Sequence, residues 1–269
     1  MRRPGERRSL MTPPLVQTAA PPSSLLVEPD QHALLPPETA VTLGTTVVIA
    51  PHPDDESLGC GGLLALLAAF GNAAHVLVMT DGSRSHPNSP SYPAARLAAL
   101  REQETLAALE VLGLPASTAR FLRYPDCGLP AAGTVAFGEA ATQLREMLVA
   151  LTPDTLLVPW RRDPHCDHEA TWRLLREASA GMPAPPRWLE YPIWAWTQAE
   201  SKAAPQTSDG HAWRLDISPV LARKEQAIAR HRSQMGVVIQ DDPGGFVLEP
   251  AMLAHFARLW ELFIEPADG

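Results

Sequence analysis

Two short polar clusters carry the residue types that hydrolytic chemistry needs: His52-Pro53-Asp54-Asp55-Glu56 and, far downstream, His165-Cys166-Asp167-His168. Three consecutive acids repel one another, and a divalent cation relieves that repulsion. An acidic cap or turn is the commoner use of such a triplet, so the histidine cluster is what gives the metal reading its weight. A catalytic zinc site takes three ligands from His, Asp or Glu and keeps a fourth position for water. His52 and Asp55 from the first cluster and His168 from the second supply such a set. Zinc lowers the pKa of its water to about 7, and Asp54, beside a ligand but not needed as one, is the candidate general base for that water. His165 is the candidate cation facing the oxyanion and the departing amine, with Asp167 or Asp163 to hold its imidazolium.

Each cluster needs an element to deliver it. Thr46-Val47-Val48-Ile49 is a β-branched run that ends at His52, and Gly61 to Phe70 restarts as a helix stopped by Gly71. His75 to Asp81 predicts a second parallel strand, and Gly82 to Pro93 an irregular loop, lid-like in length, in which Arg84 can meet an anionic or hydroxyl-rich substrate. Tyr92 to Leu112 has a helical apolar stripe, with Arg101 and Glu104 spaced to pair. Ala119 to Tyr124 predicts a third strand, followed by Asp126, another acid at a strand's carboxyl end and a candidate substrate contact. Thr134 to Leu151 is helical by pattern, Thr155 to Trp160 is a strand, and Asp167 to Ala180 a helix that brings His165 and His168 near its first turn. Beyond it come strands at 188–194 and 213–217 and helices at Val220–Arg232 and Ala251–Phe263. Alternating strand and helix over 44–180 predicts a doubly wound α/β sheet in a single domain, with loops at its carboxyl edge for a ligand.

The 269 residues, 45% hydrophobic, suffice for one large domain. A net charge of −8 argues against nucleic acid or an anionic membrane as partner. Three cysteines, Cys60, Cys127 and Cys166, make no disulfide framework and fit a reducing, cytoplasmic setting. No apolar run is long enough for a transmembrane helix. Residues 1–40 are expected to be a Pro-rich, partly ordered arm and 41–269 the catalytic domain; assembly as a homo-oligomer is left open.

Pro51-His52-Pro53-Asp54-Asp55-Glu56 with Gly59 and Gly61, followed by His165-Cys166-Asp167-His168, resembles the PIG-L or LmbE-like zinc-dependent N-deacetylases. The resemblance covers residues 44–180. It implies a Rossmann-like, mostly parallel sheet with helices on both faces, one Zn2+ per chain, and hydrolysis of the acetamido group of an N-acetylated amino sugar or sugar-containing metabolite. It places the metal ligands on His52, Asp55 and His168, the base on Asp54, and the acid or oxyanion histidine on His165. Where the family motif commonly has proline this chain has Cys166, expected to be a small buried filler. Lys224, Ala227, Ile228, His231, Ser233 and Gln234 are similar to a late segment of the family and are expected to shape the pocket, and His231 alone of the isolated histidines is a candidate substrate contact. Trp160, Trp194 and Trp196 are candidates for stacking on a sugar ring.

Three alternatives stay open: hydrolysis of another amide or an ester by the same groups, a non-catalytic relative of the fold, and a nucleotide-binding module suggested by Gly59-Cys60-Gly61-Gly62. The last lacks the third glycine of the dinucleotide fingerprint, since Leu64 stands there.

Overall fold

The computed structural model describes residues 24–267. In chain order it contains β1 (Ala33–Leu35), β2 (Thr46–Ala50), α1 (Asp55–Phe70), β3 (Ala74–Thr80), α2 (Ala94–Leu112), β4 (Ala119–Tyr124), α3 (Val135–Leu151), β5 (Thr155–Pro159) and α4 (Cys166–Ser179). These are followed by β6 (Arg187–Tyr191), β7 (Gly210–Asp216), α5 (Leu221–Ile228), α6 (Pro250–Phe256) and β8 (Trp260–Pro266). The first 23 residues of the expected arm lie outside the described part. Its later residues include β1, which pairs with β7 at the sheet edge.

One eight-stranded sheet runs in the order β1-β7-β8-β6-β5-β2-β3-β4. Its pairings are parallel except those of β8, which runs against both β6 and β7. Central strands are buried on both faces, which is why β2 reads as a continuous apolar run. Val48 and Ala50 pack with Leu63, Leu64 and Leu67 of α1 and with residues of α2, whereas Val47 and Ile49 pack with Leu144, Leu148, Leu174 and Leu175 of α3 and α4. Helices thus cover both faces. The chain leaves β2 for β3 and β4 on one side, then crosses back to β5 on the other. That reversal opens a crevice at the carboxyl ends of β2 and β5, the two strands whose following loops carry the polar clusters.

α1 begins at Asp55, six residues before the expected Gly61, because Asp55 and Glu56 serve as its acidic first turn. Every residue from Asp55 to Leu67 is buried, so the helix is apolar all round rather than striped. Gly59 and Gly62 allow its close approach: a Cβ at Gly59 would run into the Tyr191 ring, and one at Gly62 into Ile217. Both sit inside a helix, which removes the phosphate-loop reading of this glycine cluster.

The expected last helix, Ala251–Phe263, is corrected: α6 ends at Phe256 and Trp260 to Pro266 is β8. Its apolar run packs within the sheet, and Glu261 on it is buried as the partner of Lys224 Nζ at 2.8 Å and as acceptor from the Gly62 and Leu63 amides of α1. The helix expected to reach Arg232 stops at Ile228, and the turns beyond it point His231, Ser233 and Gln234 inward, all three fully buried. Among the described residues no helix is long and apolar enough to cross a membrane.

Candidate active site

β2 ends at Ala50, and the next turns place His52 and Asp55 on the crevice floor; β5 ends at Pro159, and a tight turn places His165 as the N-cap of α4 with His168 in its first turn. The two segments converge. His52 Nδ1 lies 3.3 Å from Asp55 Oδ2, and His168 Nε2 lies 3.3 Å from the same oxygen. Ligands about 2.0–2.2 Å from a tetrahedral ion stand about 3.4 Å apart, so each of these two imidazole nitrogens already stands at ligand spacing from the one carboxylate oxygen. His168 Nε2 is buried and has no hydrogen-bond partner among the described residues, an orphan that a cation would satisfy.

The outer nitrogens of both rings face carboxylates. His52 Nε2 is 3.0 Å from Asp167 Oδ2 and 3.7 Å from Asp126 Oδ1. His168 Nδ1 is 2.7 Å from Asp163 Oδ2, at ion-pair distance though off the line of a good hydrogen bond. Asp163 is itself fixed by the backbone amides of Ile193, Trp194 and Ala195. A carboxylate behind each imidazole is how metal-binding histidines are oriented.

Protonation follows from this crowding. Burial disfavours charge on His52, but Asp126, Asp167 and Asp55 outweigh it and hold the ring well above its usual pKa. Burial also opposes charge on His168, yet Asp55 and Asp163 lift it to about 9. Burial would raise Asp55, but the facing His168 and His52 pull it well below the usual carboxylate range. The floor is therefore a negative cage that demands positive charge, and a cation in place of the ring protons meets that demand. The residues present fit a metal ion.

Asp54 sits beside this cage in a conformation that only a few non-glycine residues adopt, φ 136°. Its amide donates to Glu56 Oε2 at 3.0 Å, and its Oδ2 takes a 3.0 Å ion pair from Arg101 Nη2, which also donates to Pro53 O. Burial pushes the Asp54 carboxyl up to about 6 against the pull of Arg101. Arg101 was expected to pair with Glu104 on its own helix; instead Glu104 accepts from Ser233 N and Oγ, and Arg101 reaches the loop after β2. The long range of that pairing hid it from the sequence, where only the i, i+3 spacing was visible.

His165 departs from expectation in two ways. Neither Asp167 nor Asp163 holds its ring, because Asp167 faces His52 and Asp163 faces His168. Burial, with His52 and His168 beside it, lowers its pKa to about 4, so the ring is neutral at pH 7 rather than a cation. Its Nδ1 accepts from Asp167 N at 3.2 Å, which leaves the ring proton on Nε2.

These side chains line a cleft of about 240 Å³ whose wall also includes Arg84, Asp126, Trp194, Gln234, Phe246 and Met252. Arg84 and Asp126 reach the cleft as expected, with the Asp126 carboxylate taking the Arg84 amide at 3.0 Å. His231 does not: it is fully buried behind Asp54, against Glu56 Oε1 and Ser57 Oγ, each 3.1 Å away. Of the tryptophans only Trp194 lines the cleft, stacked on His165 at 6.0 Å, whereas Trp160 and Trp196 are buried in the core. Cys166, expected to be buried, is exposed. The loop at 82–93 is tied to the segment 241–246 by Ser89 Oγ and Ser91 N on Asp241, Asn88 N on Asp242, and Phe246 N on Ser85 O. Phe246, Leu248 and Met252 had no sequence signal, because nothing in their spacing marks a wall formed late in the chain.

Residues 47–179 match the family model PIG-L, GlcNAc-PI de-N-acetylase. The chain is 31% identical over 140 residues to a 2'-N-acetylparomamine deacetylase of Streptomyces fradiae, covering 46% of this chain and about half, 48%, of that protein. It is 24% identical over 201 residues to a probable N-acetyl-alpha-D-glucosaminyl L-malate deacetylase 2 of Bacillus anthracis, covering 72% of this chain and 83% of that one. In fold it is similar to the N,N'-diacetylchitobiose deacetylase of Pyrococcus horikoshii, with a TM-score of 0.62, 24% identity, and 90% and 87% of the two chains covered. The converging histidine and aspartate motifs, the sheet that delivers them and these similarities agree: residues 47–179 carry the match to the PIG-L family.

Proposed function

We propose that this protein is a zinc-dependent hydrolase that removes the acetyl group from the nitrogen of an N-acetylated amino sugar or sugar-containing metabolite. The observation that carries the reading is the pair of imidazole nitrogens, His52 Nδ1 and His168 Nε2, each 3.3 Å from one oxygen of Asp55. Nitrogens of His52, His165 and His168 also lie within 4.8 Å of one another. Asp55 is preferred to His165 as third ligand because its oxygen stands between the two other rings, while His165 Nδ1 already accepts a backbone hydrogen bond.

Zinc held by His52, Asp55 and His168 would supply a water of pKa about 7 and polarise the amide carbonyl. Asp54 Oδ2 is engaged by Arg101, and the carboxylate lines the cleft beside the cage. It takes a proton from the attacking water as the oxygen adds to the amide carbon. His165, neutral with its proton on Nε2, donates a hydrogen bond to the oxyanion that forms. The proton held by Asp54 then passes to the nitrogen as the C–N bond breaks, leaving acetate and a free amine. Trp194, Phe246 and Met252 give the cleft an apolar wall for a sugar face, and Arg84 supplies donors for its hydroxyl groups. A cytoplasmic setting accords with the three free cysteines.

The test is acetate release from a panel of N-acetylglucosamine derivatives, with 2'-N-acetylparomamine and O-acetylated sugars included, alongside metal analysis. Stoichiometric acetate and amine from at least one N-acetyl compound are expected, abolished in Asp55→Ala together with the zinc held by the cleft floor. Release from O-acetyl compounds alone would replace the amide reading with an esterase.

A further inference from the structure

Two thiols and an imidazole meet at the mouth of the cleft in an arrangement that deacetylation leaves unused. Cys127 Sγ, Cys166 Sγ and a ring nitrogen of His165 all lie within 4.8 Å of one another, and Cys166 Sγ is 4.0 Å from His165 Nδ1. Sulfur and nitrogen ligands of one tetrahedral zinc stand about 3.6 Å apart, so a contraction of a few tenths of an ångström brings this pair to ligand spacing. Backbone contacts hold the thiols together. The Cys127 amide donates at 2.8 Å to Asp167, the residue after Cys166, and the turn that carries Cys127 is closed by Gly128 N on Pro125 O at 2.8 Å. Both thiols are exposed and Cys60 is buried, so an ion from solvent reaches this pair alone among the cysteines. The donors also differ in kind from the cleft floor, since two sulfurs select softer ions than two imidazoles and a carboxylate do.

We propose that Cys127, Cys166 and His165 form a second metal site, for a thiophilic divalent cation such as Zn2+ or Co2+, with water as fourth ligand, and that its occupancy competes with catalysis for His165. Binding releases the thiol protons to solvent. The ion replaces the Asp167 amide, 3.2 Å away, as the partner of His165 Nδ1 and draws the ring toward the thiols. The site itself stands apart from the proposed function; only its effect on turnover rests on that reading.

Zn2+ titration of the wild type, Cys127→Ser/Cys166→Ser and His52→Ala/His168→Ala tests the proposal through bound metal after desalting, native thiol reactivity and turnover. The wild type should hold about two equivalents, the second blocking both reactive thiols and reducing turnover by roughly 10²-fold, the effect of losing an oxyanion donor. Cys127→Ser/Cys166→Ser should hold one equivalent and keep its own one-equivalent rate in excess zinc. His52→Ala/His168→Ala should lose the other equivalent yet keep the thiol-blocking one, which separates this site from the catalytic one whether or not acetate is ever released. With Co2+, a thiolate charge-transfer band should appear in the wild type and vanish in the cysteine variant. A single equivalent in the wild type, two in the cysteine variant, or thiols left reactive by the second equivalent overturns the site. Thiols absent before metal is added and recovered only by reductant make the pair a disulfide and overturn it equally. A second equivalent that leaves turnover unchanged overturns the competition for His165.

Discussion

Replacing Arg101 by glutamine separates the proton chemistry proposed for Asp54 from simple support of the fold. Arg101 Nη2 lies 3.0 Å from Asp54 Oδ2 and donates to Pro53 O at 2.6 Å, while Nη1 donates to Gly82 O at 2.9 Å. Burial holds the Asp54 carboxyl at about 6 and the guanidinium opposes any further rise. A neighbouring arginine lowers an acid by about 1–3 pH units, so its loss carries Asp54 from about 6 to roughly 7–9. The ionised form is the one that accepts the proton, so activity is present above this pKa and lost below it. At pH 7 the ionised fraction falls from about nine-tenths to between about one-half and one-hundredth, a loss of about twofold to ninetyfold in kcat that raising the pH recovers. Breaking a buried pair also costs up to about 3–5 kcal/mol of stability, read as a lower Tm. The assay is kcat against pH for both enzymes at saturating metal. A bound dication moves both acid limbs down together, so the displacement between them is the quantity to read. Loss by one constant factor at every pH would refute Asp54 as the titrating base.

Asp54→Asn should retain its metal and fold while turnover falls by about 10²–10⁴; normal turnover, measured by acetate release, would remove Asp54 from the mechanism. Asp163→Asn should weaken metal affinity by about 10–100-fold, because Asp163 stands 2.7 Å behind His168, and competition with a chromophoric chelator reads that directly. Gly59→Ala opposes two effects: helix propensity favours alanine by about 1 kcal/mol, whereas crowding in a packed core costs about 1–3 kcal/mol. The Tyr191 ring that a Cβ would meet is pinned by its hydroxyl on Ile49 O at 2.7 Å, so crowding should win and Tm should fall; a rise would show that the ring gives way.

The strands of the central sheet were legible because burial on both faces makes them unbroken apolar runs, and the two polar segments were legible because they follow β2 and β5 directly. Helix α1 started earlier than expected, since Asp55 and Glu56 read as loop when they are the helix's first turn. β8 read as helix because Trp260-Glu261-Leu262-Phe263-Ile264 has no period to separate a buried strand from a buried helix. The candidate ligands could be read from residue type; the carboxylates behind His52 and His168 could not. Asp167 and Asp163 flank His165 in sequence, yet the first turn of α4 aims one at His52 and the loop before it aims the other at His168. Cys166 is exposed rather than filler because the N-terminus of α4 opens on the cleft mouth instead of the core.

Anomalous diffraction above and below the zinc edge, from crystals of protein loaded with one equivalent of zinc, asks where the metal sits. A single peak about 2.0–2.2 Å from His52 Nδ1, Asp55 Oδ2 and His168 Nε2, with an open fourth position, is the expected result. An active enzyme with no peak between those three atoms would contradict the metal centre on which the proposed deacetylation depends.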